Sequence, residues 1–96
     1  MTPLTDWTGG KPLKAKAIFE DALQKDPDYA MYYYNLACCH AELGNLEMAL
    51  AVLKKAYERK GAMLSFESFP NPRNDPSFKK YLGNPKFEAA LKEMGF

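Results

Sequence analysis

Small residues at the spacing of a helix crossing constrain this chain more than anything else in it. From position 29 to 61 it reads Tyr33-x2-Leu36-Ala37-x2-His40, then Gly44, then Ala49-x3-Leu53-x2-Ala56, and finally Gly61. Tyr33, Leu36, Ala37 and His40 fall on one face at a period of about 3.6 residues. Ala49, Leu50, Val52, Leu53, Ala56 and Tyr57 form a second apolar face, opposite solvated Lys54, Lys55, Glu58, Arg59 and Lys60. Gly44 lies between the two as a left-handed helix end. The spacing predicts two antiparallel helices, over about 29–43 and about 46–60, with Ala37 small because two backbones approach there.

This arrangement resembles one tetratricopeptide repeat, a helix pair marked by aromatic-x2-Leu-small-x2-aromatic, a glycine, Ala-x3-aromatic/Leu, an alanine and a proline. His40 stands where that family has tyrosine, and Gly61 where it has proline. Moved upstream by the family period of about 34 residues, Gly44 lands on Gly10, Ala49 on Ala15, Leu53 on Phe19, Ala56 on Ala22 and Gly61 on Pro27. Moved downstream, the register fails: Leu36 lands on Pro70, Ala37 on Asn71 and His40 on Asn74. The resemblance implies an all-α chain of TPR-like antiparallel helix pairs, a short superhelix. It would hold the second helix of an earlier repeat, one whole repeat, and C-terminal capping helices.

The chain divides accordingly into an irregular arm (1–10), a helical core (11–61), a loop (62–75) and a capping region (76–96). In the core, a first helix over about 12–25 starts at Pro12, which suits a first helical turn. Leu13, Ala15, Ala17, Ile18, Phe19, Ala22 and Leu23 make it apolar on two sides, and Asp21 and Lys25 pair at i,i+4. Asp26-Pro27-Asp28 is expected to stop it and to cap the next helix. In the loop, Met63, Leu64, Phe66 and Phe69 should fold back over the second and third helices. Asn74-Asp75-Pro76-Ser77-Phe78 is then echoed by Gly83-Asn84-Pro85-Lys86-Phe87. Each joins a capping side chain, a first-turn proline and an aromatic residue, which predicts a short helix over about 76–82 and a longer one over about 85–94. The first of these resembles the Asp-Pro-x-Phe endings that follow the last repeat in many TPR proteins. Phe78, Tyr81, Leu82, Phe87, Ala90, Leu91 and Met94 are expected to be structural, because the end of a solenoid exposes an apolar face that must be covered.

Composition narrows the function classes. With 96 residues and a net charge of +1, the chain has no electrostatic footprint for nucleic acid or an anionic membrane. No apolar run approaches the roughly 20 residues of a spanning helix, so no membrane insertion is expected. The first ten residues lack the apolar core of a secretory signal. Gly10-Lys11 lacks the rest of a phosphate loop, and no cofactor is expected. Cys38 and Cys39 are neighbours on a helix, roughly 100° apart, a poor arrangement for a disulfide. That suits a reducing intracellular setting, cytoplasmic or organellar. No catalytic set and no metal set is expected, since Cys38, Cys39 and His40 are consecutive and cannot converge on an ion. An enzyme built on Cys38 and His40 is the remote alternative, but the two face differently and His40 has no polar neighbour one turn away. It reads as a core aromatic in place of tyrosine.

The resemblance supplies a site. In the family, the other face of the first helix of a repeat lines a concave groove that binds peptides or partner segments. Carried over, that face is Met31, Tyr34, Cys38, Ala41 and Glu42, with Asn35 at the place of an asparagine that often bonds a ligand backbone. Trp7, the one tryptophan, is either a further partner anchor or a cover for the open end of the first helix. The expected function is a non-enzymatic protein–protein interaction module: an adaptor, scaffold or accessory subunit that binds a peptide or helix in the groove. The alternative is a C-terminal cap, or a structural subunit docked permanently in a larger complex. One whole repeat is fewer than the three or so usually needed for stability, so self-association or a larger holding partner is expected. A carboxylate clamp for chaperone tails is rejected, because only Asn35 matches its residues.

Overall fold

A computed structural model describes residues 12–62 and 68–96. The elements are α1 (Pro12–Lys25), α2 (Ala30–Glu42) and α3 (Leu46–Glu58), then 3-10 turns at Lys60–Ala62, Pro72–Asn74 and Pro76–Tyr81, and last α4 (Pro85–Glu93). There is no strand among the described residues. Trp7 and the apolar positions Met63, Leu64 and Phe66 lie outside them.

α1 buries Ala15 and Phe19 and holds its outer side with two i,i+4 ion pairs, Lys16–Glu20 at 3.3 Å and Asp21–Lys25 at 3.2 Å. Pro27 cannot continue the helix, and the chain turns at residues 26–29. Asp28 does not cap α2, contrary to the sequence expectation. The N-cap is Tyr29, which makes no side-chain capping bond, and the Asp28 carboxylate lies 3.8 Å from Arg59 instead. A cation just past the end of α3 has taken the charge that the helix start would have used.

The α2–α3 turn is local and tight. Gly44 takes φ +83°, which a side chain would resist. The Asn45 amide donates to the His40 carbonyl at 2.9 Å and the Gly44 amide to Ala41 at 3.1 Å, which satisfies the orphan carbonyls of α2. Asn45 then caps α3 by accepting from the Met48 amide at 3.2 Å. α3 ends at Glu58 rather than running on to Lys60, because the chain tightens into the 3-10 turn there.

The C-terminal part is wound differently from expectation. Residues 76–81 form a 3-10 helix, not an α-helix. Asp75 caps it through the Ser77 amide at 3.0 Å, and Gly83 at φ +85° follows immediately. A winding of about three residues per turn places every third side chain on one side. Asp75, Phe78 and Tyr81 therefore all face α2, a set that an α-helix of this length would spread apart. Asn84 caps α4 through the Lys86 and Phe87 amides at 2.9 and 3.3 Å. Arg73 ties the two C-terminal pieces by pairing with Glu88 and donating from Nε to the Phe96 carbonyl at 2.9 Å.

One core joins these elements. Leu53, Phe78, Phe87 and Leu91 are fully buried, each contributing about 1.5–3 kcal/mol relative to exposure. Phe78 stacks on Phe87 with ring centres 5.7 Å apart, while Phe69 meets Tyr34, Tyr57 and Phe96. Leu82 departs from the structural role expected of it and is 46% exposed.

Candidate partner-binding site

α2 carries the site residues, and it is buried nearly all round. On the face that carries Tyr33, Leu36, Ala37 and His40, the last three are buried and Arg59 sits 4.7 Å over the Tyr33 ring. Burial pushes His40 below its ordinary value, and the nearby Lys16 cation adds to this, partly offset by Glu20. The shift favours the neutral imidazole.

The opposite face is filled by the chain itself. Tyr34, Cys38 and Ala41 succeed one another at one-turn spacing, and Asp75, Phe78 and Tyr81 lie against them. The Tyr34 hydroxyl donates to Asp75 Oδ2 at 3.0 Å, and Cys38 Sγ approaches the same oxygen at 3.7 Å. The Phe78 ring meets Tyr34 edge-on at 6.3 Å, and Phe69 meets it edge-on at 5.6 Å. The Tyr81 hydroxyl donates to the Ala41 carbonyl at 3.0 Å. An α-helical stripe is read by a 3-10 stripe.

The sequence-derived groove residues are therefore divided. Tyr34, Cys38 and Ala41 are 2%, 0% and 0% exposed, under residues 69–81. Met31 and Asn35 are half-buried at the rim, and Glu42 is exposed. Trp7 lies outside the described residues. Sequence reasoning placed Phe78 and Tyr81 in the cap but did not see Asp75 as their common anchor. The signal was present in Asp75-Pro76, read there as a helix start alone.

The thiols are shielded. Burial raises Cys38 well above its ordinary value, and the Asp75 charge adds to this. Burial, with the Glu42 charge behind it, pushes Cys39 up to about 12. Both shifts disfavour the thiolate, which is the reactive form. Among the described residues, no group of three His, Cys, Asp or Glu side chains could hold a metal ion. Among the same residues, no helix is long and apolar enough to cross a membrane.

Among the described residues, two open surfaces carry exposed apolar side chains away from the groove. One is a cleft of about 440 Å³ between α3 and α4, lined by Leu50, Ala51, Tyr57, Ala90 and Met94 and edged by Lys54. The other is the outer side of α1, where Leu13 is 68% and Ile18 39% exposed.

Comparison with known proteins agrees with this architecture. The family model described as "Tetratricopeptide repeat" matches residues 8–60. A curated relative from Arabidopsis thaliana, a protein described in its name as chloroplastic, is 28% identical over 88 residues, covering 88% of this chain and 25% of that protein. The chain thus spans about a quarter of the length of the relative it matches. No solved structure matches the chain at a significant level.

Proposed function

Because the chain belongs to the tetratricopeptide repeat family, we propose that it works as a non-enzymatic interaction module, an adaptor or accessory subunit that closes one end of a helical assembly. One observation carries this reading: the α2 groove is occupied by the chain's own Asp75, Phe78 and Tyr81. A groove filled from within favours a terminal, docked unit over a free peptide receptor. Among the described residues, the C-terminal turns cover the helix pair on one side, while Leu13 and Ile18 of α1 keep exposed apolar surface.

Partner contact at the groove then falls to its rim, where Met31, Asn35 and Glu42 retain accessible surface. Trp7 remains a further anchor in this reading. The buried, unpaired thiols and the chloroplast address in the relative's name support an intracellular setting, cytoplasmic or organellar. The buried thiols, raised by their burial, support the absence of Cys–His chemistry.

The test is affinity capture with the 96-residue chain as bait, alongside Asn35→Ala/Glu42→Ala and Ile18→Lys variants. A partner recovered by the wild type in fixed proportion and lost from one variant supports the module and assigns its face. A chain that recovers nothing, yet turns over a substrate in a way abolished by His40→Gln, would replace this reading with the enzymatic one.

A further inference from the structure

α3 and α4 lie side by side and run the same way: Lys86 pairs with Glu47 at 2.7 Å near their starts, and the Tyr57 and Phe96 rings meet at 6.2 Å near their ends. The cleft between them, about 440 Å³, falls in the range of ligand pockets, roughly 300–1,000 Å³. Its floor is apolar, with Leu50 and Ala51 from α3 and Ala90 and Met94 from α4. The end toward the helix C-termini is acidic. Glu58 is the last residue of α3, Glu93 is the last of α4, and both line the cleft. A helix C-terminus already carries the negative end of the dipole, so a carboxylate there is locally unfavourable. Among the described residues neither carboxylate is in an ion pair, and nor is Lys54, the one cation that lines the cleft. Glu42 ends α2 in the same way but does not line this cleft. Two helices thus bring their negative ends and two unpaired carboxylates to one end of an apolar trough.

We propose that this cleft seats an amphipathic α-helix of a partner protein, with leucine-sized residues over Leu50, Ala90 and Met94 and an arginine beside Glu58 and Glu93. This rests on the interaction-module reading and names the partner's chemistry and the face that takes it. Lys54 against Glu58 and Glu93 leaves the lining with a net charge of −1, so charge complementarity selects a basic segment. Arginine fits better than lysine, because its planar fork can serve two carboxylates at once. From Leu50 to Glu58 the trough runs about 12 Å along α3, or about two turns of a helix laid in it. The occupant therefore carries apolar residues one turn apart and its cation about two turns from the first of them. Ala51 and Ala90 are small on facing walls, which lets a third backbone come close.

The probe is a fluorescein-labelled, alanine-rich helical peptide with leucines one turn apart and an arginine two turns from the first, titrated into the folded 96-residue chain by fluorescence anisotropy. Saturable binding is expected, weakened about tenfold by Glu58→Gln/Glu93→Gln and as much by a glutamate in place of the peptide's arginine. Lys54→Ala removes the opposing cation and should tighten binding, while Asn35→Ala at the groove rim should leave it unchanged. Glu58, Glu93 and Lys54 are exposed, so these variants fold, and circular dichroism checks that they have. Equal binding by wild type and the double glutamine variant would overturn the proposal, as would no binding at all. So would binding that appears only after Leu64→Ser/Phe66→Ser, which gives the cleft to the chain's own segment, or a dimer of the chain alone that Ala51→Arg dissolves. If the peptide fails while affinity capture recovers a partner through Asn35 and Glu42, the cleft is wrong and the module reading stands. If both fail, both readings go.

Discussion

Tyr34 and Asp75, 41 positions apart, meet through a 3.0 Å hydrogen bond in which the tyrosine hydroxyl donates to the carboxylate. Asp75 also caps the 3-10 helix through the Ser77 amide, and Cys38 Sγ lies 3.7 Å from it. One carboxylate thus starts the C-terminal helix and fastens it to α2. Asp75→Ala should cost about 2–4 kcal/mol, combining a lost cap with an unsatisfied buried hydroxyl. Tyr34→Phe, which removes the donor and leaves the cap, should cost about 0.5–1.5 kcal/mol. Urea midpoints measure both, and an Asp75→Ala chain as stable as wild type would mean that the groove is not held shut this way.

Phe78 is fully buried, stacked on Phe87 and edge-on to Tyr34. Phe78→Ala should lose about 3–5 kcal/mol, a large share of the 5–15 kcal/mol or so that a domain usually has. Its exposed neighbour provides the control, since Lys79→Ala should stay within about 0.5 kcal/mol. Thermal unfolding followed by circular dichroism separates the two, and similar losses in both would remove Phe78 from the core.

The contrast between these elements explains what could be read from sequence. The α2–α3 pair was legible because its determinants are local: Gly44 needs its positive φ, and Ala37, Ala49 and Ala56 recur at the spacing of a crossing. The family match over residues 8–60 bears out that resemblance. The covering of Tyr34, Cys38 and Ala41 was not legible, because it depends on residues some 35–45 positions away and on a winding that propensity does not specify. Asp75-Pro76 signals a helix start equally well for α and 3-10. What decides is that Gly83 follows so soon, while Phe78 and Tyr81 both have partners on α2. Asp28 shows the same limit, since only the fold brings Arg59 within reach of it.

Cys38 and Cys39 are both fully buried, and burial raises both. In the native chain they should react with a disulfide reagent at about pH 8 many times more slowly than in denaturant, where the chain's two thiols become titratable. A group raised on folding contributes stability that is intact below its unfolded value and is lost as pH climbs toward the folded one. The Cys39 contribution therefore fades from its ordinary 9.0 toward about 12. Fast labelling of Cys38 at neutral pH would contradict the closed groove.

His40 carries the opposite sign. Burial first, and then Lys16, hold its folded value below the ordinary 6.5. Its neutral form is therefore native, the unfolded chain binds the extra proton, and its contribution is present above pH 6.5 and falls away in more acid solution. Between about pH 7.5 and 5.5, wild type should lose more stability than His40→Gln. Parallel losses in denaturant melts would show that the imidazole does not titrate on unfolding in that window.

Asn45 serves two helices at once: its amide closes the end of α2 and its side chain opens α3. A turn of this kind has no slack, because lengthening or shortening it by one residue would undo both ends together. α2 and α3 are thereby welded into one rigid body, with no hinge between them. Whatever adjustment the molecule makes when something seats against it must be taken up on either side of that body, in the swing of α1 about residues 26–29 or in the grip of the C-terminal turns.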